Sequence, residues 1–277
     1  MLNKSFFEMI VHNFDPVLVD LGIFQIRWYS IAYILGIIIG WIYAKKIIRK
    51  TEKSGYNFVP VKKSDFDDLI IYLVIGIILG GRLGYVIFYN FEHYSQNALE
   101  IFKIWQGGMS FHGGLIGIII SIFIFSKNKN TSFFKLSDIV ACVSPIGLFF
   151  GRIANFINGE LYGKISDLPW SVIFPNAGNV ARHPSQIYEA ILEGAILFLL
   201  INFLALRKLL IIKSGYISAF FLIAYSIMRI FAENFREPDQ HIGYLFNYFS
   251  MGTILSFLTL LSGFLIIFFI KKNEKNN

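Results

Sequence analysis

The run LIIYLVIGIILGGRLGYVIFYN, from Leu69 to Asn90, decides the fold class, because Arg82 is its only charge. At about 1.5 Å per residue, such a run is long enough to cross a hydrocarbon layer of about 30 Å as a helix. Working outward, six further runs read the same way: Ile26 to Ala44, Met109 to Ser126, Ile139 to Ile157, Ile187 to Leu206, Tyr216 to Phe235 and Tyr244 to Ile270. Glycines and Pro145 dilute the third and fourth spans, and such breaks are tolerated where neighbouring helices resupply partners. The sequence therefore predicts an all-α polytopic membrane bundle of about seven transmembrane helices, laid out as a single integral membrane domain over 1–277.

Composition agrees. Of 277 residues, 55% are hydrophobic and 17% aromatic, with 30 Phe, which is far more apolar than a water-soluble domain requires. The net charge of +7 raises nucleic acid as a partner, but the Lys and Arg residues cluster between apolar runs and form no continuous basic face, so no nucleic acid is expected. The lone Cys142 excludes an internal disulfide and any multi-cysteine metal site, and no metal or cofactor is expected. The N-terminal stretch has no compact apolar core with a small-residue cleavage site, so the first span is expected to stay in the mature protein.

Charge asymmetry predicts the orientation. The loops after spans one, three and five and the C-terminal tail carry sixteen basic residues, including Lys45, Lys46, Lys62, Lys63, Lys127, Lys208 and Lys271. The alternate segments carry six: Lys4, Arg27, Lys103, Lys164, Arg182 and Arg236. The positive-inside rule then places the N-terminus outside and the C-terminus in the cytoplasm, with 92–108 and 159–185 as outward-facing loops. Glycines at four-residue spacing, at 36 and 40, at 76, 80 and 84, and at 113 and 117, suit close helix packing.

Arg82, Arg152 and Arg229 lie inside apolar runs, where an arginine costs at least about 2.5 kcal/mol at the bilayer centre. With the orientation above, all three fall in the outer half, together with His112, Asn155, Asn158, Glu189, Glu193 and Glu233. A one-sided polar layer argues against a transporter, whose site is expected at the midplane between repeated halves. The planar donor fork of arginine suits phosphate, so the ligand class suggested is an anionic phospholipid headgroup. The competing reading, in which these arginines pair with Glu189, Glu193, Glu160 or Glu233 to hold the bundle together, stays open for Arg82 with Glu189 in particular. A transporter and a non-catalytic membrane scaffold remain the alternative classes. GMSFH, from Gly108 to His112, is a poor nucleophile elbow, and no H-E-x-x-H is present.

The segment GRIANFINGELYG, Gly151 to Gly163, resembles the signature of prolipoprotein diacylglyceryl transferases, with Ala154 where glycine is usual and Lys164 following in place of arginine. GGRLGYVIFYN from Gly80, WQGGMSFHGGLIG from Trp105, RHPSQIYEA from Arg182 and YSIMRIFAENFREPD from Tyr225 to Asp239 resemble further blocks of the family, in order, with Ser226 and Ile230 replacing glycine and phenylalanine. The resemblance implies transfer of diacylglycerol from phosphatidylglycerol to the lipobox cysteine of a prolipoprotein signal peptide. A thioether forms and glycerol phosphate leaves, at a multi-pass protein of the bacterial inner membrane with its site facing the outer leaflet. The matched functional residues are Tyr29, His112, Arg152, Asn155, Glu160, Gly163, Tyr225, Arg229 and Glu233, beside Arg82 as a further headgroup contact. A thiol is a poor nucleophile until deprotonated, so a base is needed: His112, or a carboxylate such as Glu160. Arg152 and Arg229 suit the charge growing on the departing phosphate.

Overall fold

In the computed structural model the described residues are 10–22, 25–53, 63–104, 107–207, 210–238, 243–245 and 248–276. Lys4, Lys62, Trp105, Lys208 and Asp239 lie outside them, as do the side chains of Lys63 and His112. The helices are α1 (Trp28–Lys53), α2 (Lys63–Phe88), the short α3 (Phe91–Gln96), α4 (Phe111–Asn128), α5 (Phe133–Ile157), α6 (Ser185–Arg207), α7 (Tyr216–Glu233) and α8 (Met251–Asn276). Six are long and apolar enough to cross a membrane, and α4 is a shorter apolar one. Their surfaces invert the pattern of a water-soluble protein. Phe257, Leu261, Phe264 and Phe268 of α8 face outward, whereas Arg82, Glu189, Glu193 and Arg229 are buried. The chain is a multi-pass α-helical membrane protein.

Two of the boundaries that differ from the sequence reading do so for one reason. The first span begins at Trp28 because Gln25–Arg27 pairs with Val17–Asp20 as an antiparallel hairpin, and the last begins at Met251 because Tyr244–Leu245 pairs with Phe249–Ser250. Strand pieces this short leave no readable alternation. Ile10–Val11, Val172–Ile173 and Ala181–Arg182 complete a small three-stranded sheet.

The chain divides into two compact units, 45–139 and the remainder. Within the first, α2 and α4 pack through their glycines. A Cβ at Gly117 would lie against the carbonyl of Gly76, and one at Gly80 against the carbonyl of Gly113, so only glycine permits this backbone approach. Arg82 of α2 is buried and spends its guanidinium on main-chain carbonyls. Nε donates to Ile101 at 2.8 Å, Nη1 to Gly107 and Gly108, and Nη2 to Glu100 at 2.7 Å and Lys103 at 3.3 Å, beneath the Tyr94 ring. This clamp ties down Gly107 and Gly108, shortly before Ser110, whose hydroxyl accepts the N–H of Gly113 and caps α4.

In the second unit, Gly36 of α1 lies against Gly147 of α5, and Gly194 of α6 against Phe149. Pro145 is accommodated within α5. Helix α6 widens to i→i+5 turns over Ala190–Ile196 and Phe203–Arg207.

Candidate active site

Arg152 near the end of α5, Glu189 and Glu193 at four-residue spacing on α6, and Arg229 and Glu233 at the same spacing on α7 meet in one buried cluster. Arg152 Nη1 stands 2.8 Å from Glu189 Oε2, and its Nη2 donates to Glu193 Oε2 at 3.0 Å. Arg229 Nη1 donates to Glu189 Oε1 at 2.7 Å and to Glu193 Oε1 at 3.2 Å, while its Nη2 stands 2.9 Å from Glu233 Oε2. Arg236 Nη1 approaches Glu189 at 3.7 Å. Three guanidinium groups thus face three carboxylates, and the side chains of Glu189 and Glu193 are 0% exposed. Pairing of this completeness is what allows charge to persist at such depth. Tyr225, buried and stacked on Phe221, lies within electrostatic range of Arg152, Arg229, Glu189 and Glu193.

One helical turn beyond Arg152, Asn155 Nδ2 donates to Tyr29 Oη at 3.0 Å and to Glu160 Oε1 at 2.7 Å. These three residues, from α1, α5 and the turn after α5, form a second polar group. Tyr33 lies in range of both Glu160 and Arg152, which places the two groups side by side. The turn delivering Glu160 uses positive φ at Gly159 and at Leu161. His12 backs it: its ring packs on Phe14, Phe156 and Phe174, and its Nε2 must carry the proton, since it meets the Phe156 carbonyl at 2.6 Å. Gln186 Nε2 donates to the Glu160 carbonyl at 2.6 Å, tying the turn to α6.

Gly163 has a negative φ, and its need for glycine is one of space. A Cβ there would lie 2.5 Å from the carbonyl of His183 and 2.6 Å from that of Phe235, because the Gly163–Lys164 main chain runs between them, with the Gly163 N–H donating to His183 and that of Lys164 to Phe235. Beside it, burial and the Lys164 ammonium pull His183 below the usual histidine range.

The structure therefore gathers Tyr29, Arg152, Asn155, Glu160, Tyr225, Arg229 and Glu233, and places Gly163 in the neighbouring loop. Arg82 is held differently: its described partners are main-chain carbonyls of its own unit, whereas the arginines at the Glu189 carboxylate within the other unit are Arg152, Arg229 and Arg236. His112 is the second residue of α4, with its side chain outside the described residues. Sequence reasoning did not single out His12, Arg236 or Ser250. The four-residue spacing within Glu189–Glu193 and Arg229–Glu233 is the signal that could have shown the cluster. Among the described residues, no group of three or more His, Cys, Asp or Glu is arranged to hold a metal ion.

Comparison with known proteins closes the identification. A family model described as prolipoprotein diacylglyceryl transferase matches residues 16–269. The chain is 48% identical over 262 residues to the phosphatidylglycerol–prolipoprotein diacylglyceryl transferase of Rhodospirillum rubrum, covering 94% of this chain and 93% of that one. It is 46% identical over 260 residues to the protein of the same name from Methylocella silvestris, with 94% and 95% covered. For that of Rickettsia bellii the figures are 47% over 259 residues, with 94% and 96% covered. Matched almost from end to end, the chain belongs to the prolipoprotein diacylglyceryl transferase family.

Proposed function

We propose that this protein moves the diacylglyceryl group of phosphatidylglycerol onto the thiol of a lipobox cysteine in a prolipoprotein signal peptide. The observation that carries the reading is the pair of buried arginines, Arg152 and Arg229, cross-braced by the same two carboxylates. A guanidinium has five N–H donors. The second hydrogens on Nη1 and Nη2 of Arg152 are the donors suited to a lipid phosphate, and the carboxylates fix the plane in which they point. Preorganised donors of this kind stabilise charge that develops during a reaction.

The thiolate sulfur attacks the glycerol carbon that bears the phosphate. A carbon–sulfur bond forms, the carbon–oxygen bond breaks with its electron pair passing to the phosphate, and glycerol phosphate leaves. The thiol proton goes to a base, His112 by family resemblance or Glu160 as the alternative. Asn155 is tied to both Tyr29 and Glu160 and orients the headgroup glycerol. Tyr225 supports the arginine side of the site, and Gly163 lets the main chain at His183 and Phe235 close beside it. The reading places the protein in the bacterial inner membrane as one integral domain, with the N-terminus outside and the site at the outer leaflet.

Purified protein incubated with labelled phosphatidylglycerol and a lipobox peptide should yield lipidated peptide, and a transporter or scaffold would yield none. Arg152→Lys and Arg229→Lys keep the charge but lose the fork. Each should insert normally and lose most activity, and full activity in both would refute fork binding of phosphate. For the topology, cysteines at Asn97 or Asn176 should react with an impermeant thiol reagent from outside and one at Asn128 should not. The reverse pattern would move the site to the other leaflet.

A further inference from the structure

Where α8 begins, Ser250 and Gly252 grip the carboxylate of Glu233. Ser250 ends the strand Phe249–Ser250, which pairs with Tyr244–Leu245, and is buried. Its hydroxyl lies 2.9 Å from Glu233 Oε1, 3.0 Å from Thr253 Oγ1 and 3.2 Å from the Thr253 backbone nitrogen. One proton and two lone pairs must serve all three contacts. The Thr253 N–H can only donate and an ionised carboxylate can only accept. Ser250 therefore gives its proton to Glu233 and takes the Thr253 hydroxyl proton, and every position on the oxygen is used. Gly252 closes the other side: a Cβ there would stand 2.5 Å from Glu233 Oε1 and 2.9 Å from Cδ.

The direction of the Glu233 carboxylate matters to Arg229. Nη1 of Arg229 is held by Glu189 and Glu193, whereas the carboxylate beside Nη2 is Glu233. At 2.9 Å that contact is close, yet among the described residues Oε2 of Glu233 has no aligned hydrogen bond. Charge holds the pair together, and orientation has to come from Oε1, which Ser250 fixes.

We propose that Ser250 and Gly252 are positioning residues for the transfer reaction, acting through Glu233 to set the plane of the Arg229 guanidinium. This rests on the transferase reading above. A longer residue at 252 displaces the end of a glutamate side chain, which can move without the helices parting, so the fold survives while the geometry does not.

The test uses the full chain in lipid nanodiscs with phosphatidylglycerol and a lipobox peptide. Ser250→Ala should lower kcat/KM about tenfold or more, as expected for a lost hydrogen bond to a charged group. Ser250→Thr, which keeps the hydroxyl, should stay within about threefold of the parent, a smaller change than that lost bond. Gly252→Ala should lose about as much as Ser250→Ala, with a heat-unfolding midpoint within about 2 °C of the parent. On a Glu233→Gln background, Ser250→Ala should add no further loss, because the two act as one unit. Losses that multiply on that background would overturn the proposal, as would parental activity in both Ser250→Ala and Gly252→Ala. If Glu233→Gln has no measurable turnover, Ser250→Thr decides: activity no better than Ser250→Ala overturns the proposal. A parent protein that cannot lipidate the peptide would instead overturn the transferase reading, and this proposal with it.

Discussion

Replacing Glu189 with glutamine keeps the size of the side chain and removes one charge from the centre of the cluster. Its two oxygens lie 2.8 Å from Arg152 and 2.7 Å from Arg229, with Arg236 at 3.7 Å, and the side chain is 0% exposed. At an effective dielectric of about 20, unit charges 4 Å apart interact by about 4 kcal/mol. These contacts are shorter, but part of that attraction offsets the desolvation of the ions. Breaking a buried pair by removing one partner typically costs about 3–5 kcal/mol, because the other charge is left uncompensated. Glutamine also turns an N–H donor toward one of the guanidinium groups. Glu189→Gln should therefore lose about 3–5 kcal/mol in equilibrium denaturation from detergent micelles. Adding Arg152→Gln should recover part of that loss, because the cluster returns to charge balance. A Glu189→Gln protein that denatures at the parental midpoint would refute the view that these ions hold one another, and a double variant with fully additive losses would refute their coupling.

Three further outcomes follow from the packing. Gly117→Ala should weaken the α2–α4 pair and reduce the yield of folded protein, since its Cβ would lie on the Gly76 carbonyl, whereas Gly114→Ala should be tolerated because its nearest contact is 3.8 Å from the Ile77 carbonyl; equal yields would refute this. Cys142→Ala should retain near-parental lipidation, because the thiol is buried and the Asn202 side chain binds the Cys142 carbonyl rather than its sulfur; a diacylglyceryl adduct on Cys142 in mass spectra would contradict it. The folded pKa of His183 is depressed, so its contribution to stability is full above the unfolded histidine value and is lost as pH falls through the folded one. Between about pH 7 and 5, the unfolding midpoint should fall more for the parent than for His183→Gln, and parallel curves would remove the effect.

The long apolar runs were legible because burial in lipid leaves helices little choice of composition, and Leu69 to Asn90 carried that message alone. The ends of those runs were not, since a two-residue strand such as Tyr244–Leu245 has no period to read. Within the cluster, the sequence named Arg152, Arg229 and Glu233, and the glutamates at 189 and 193 only as candidate partners. Their four-residue spacing held the answer. Arg82 shows the opposite limit: backbone carbonyls accept from it, and every residue has a carbonyl, so no residue type could mark its partners. Ser250 and Gly252 lie outside every recognisable block and gain meaning only through the carboxylate between them.

The wide turns of α6 carry a consequence for insertions and deletions. A stretch of i→i+5 bonding, as over Ala190–Ile196, holds an extra residue compared with a regular helix of the same rise. Deleting one residue there would let ordinary i→i+4 bonds form, a local gain in regularity. It would also leave Ser185–Glu189 facing nearly as before relative to Leu197–Arg207, because six residues at about 100° each sweep roughly the angle that seven cover in the wider turns. Glu189 would keep the side on which Arg152 and Arg229 wait, and the positions whose direction changes are those inside the stretch, Glu193 among them. At this point in the chain the extra residue bears on the aim of Glu193 rather than on the alignment of the two flanking segments. An in-frame deletion within Ala190–Ile196 that spares Glu193 should therefore still give folded protein.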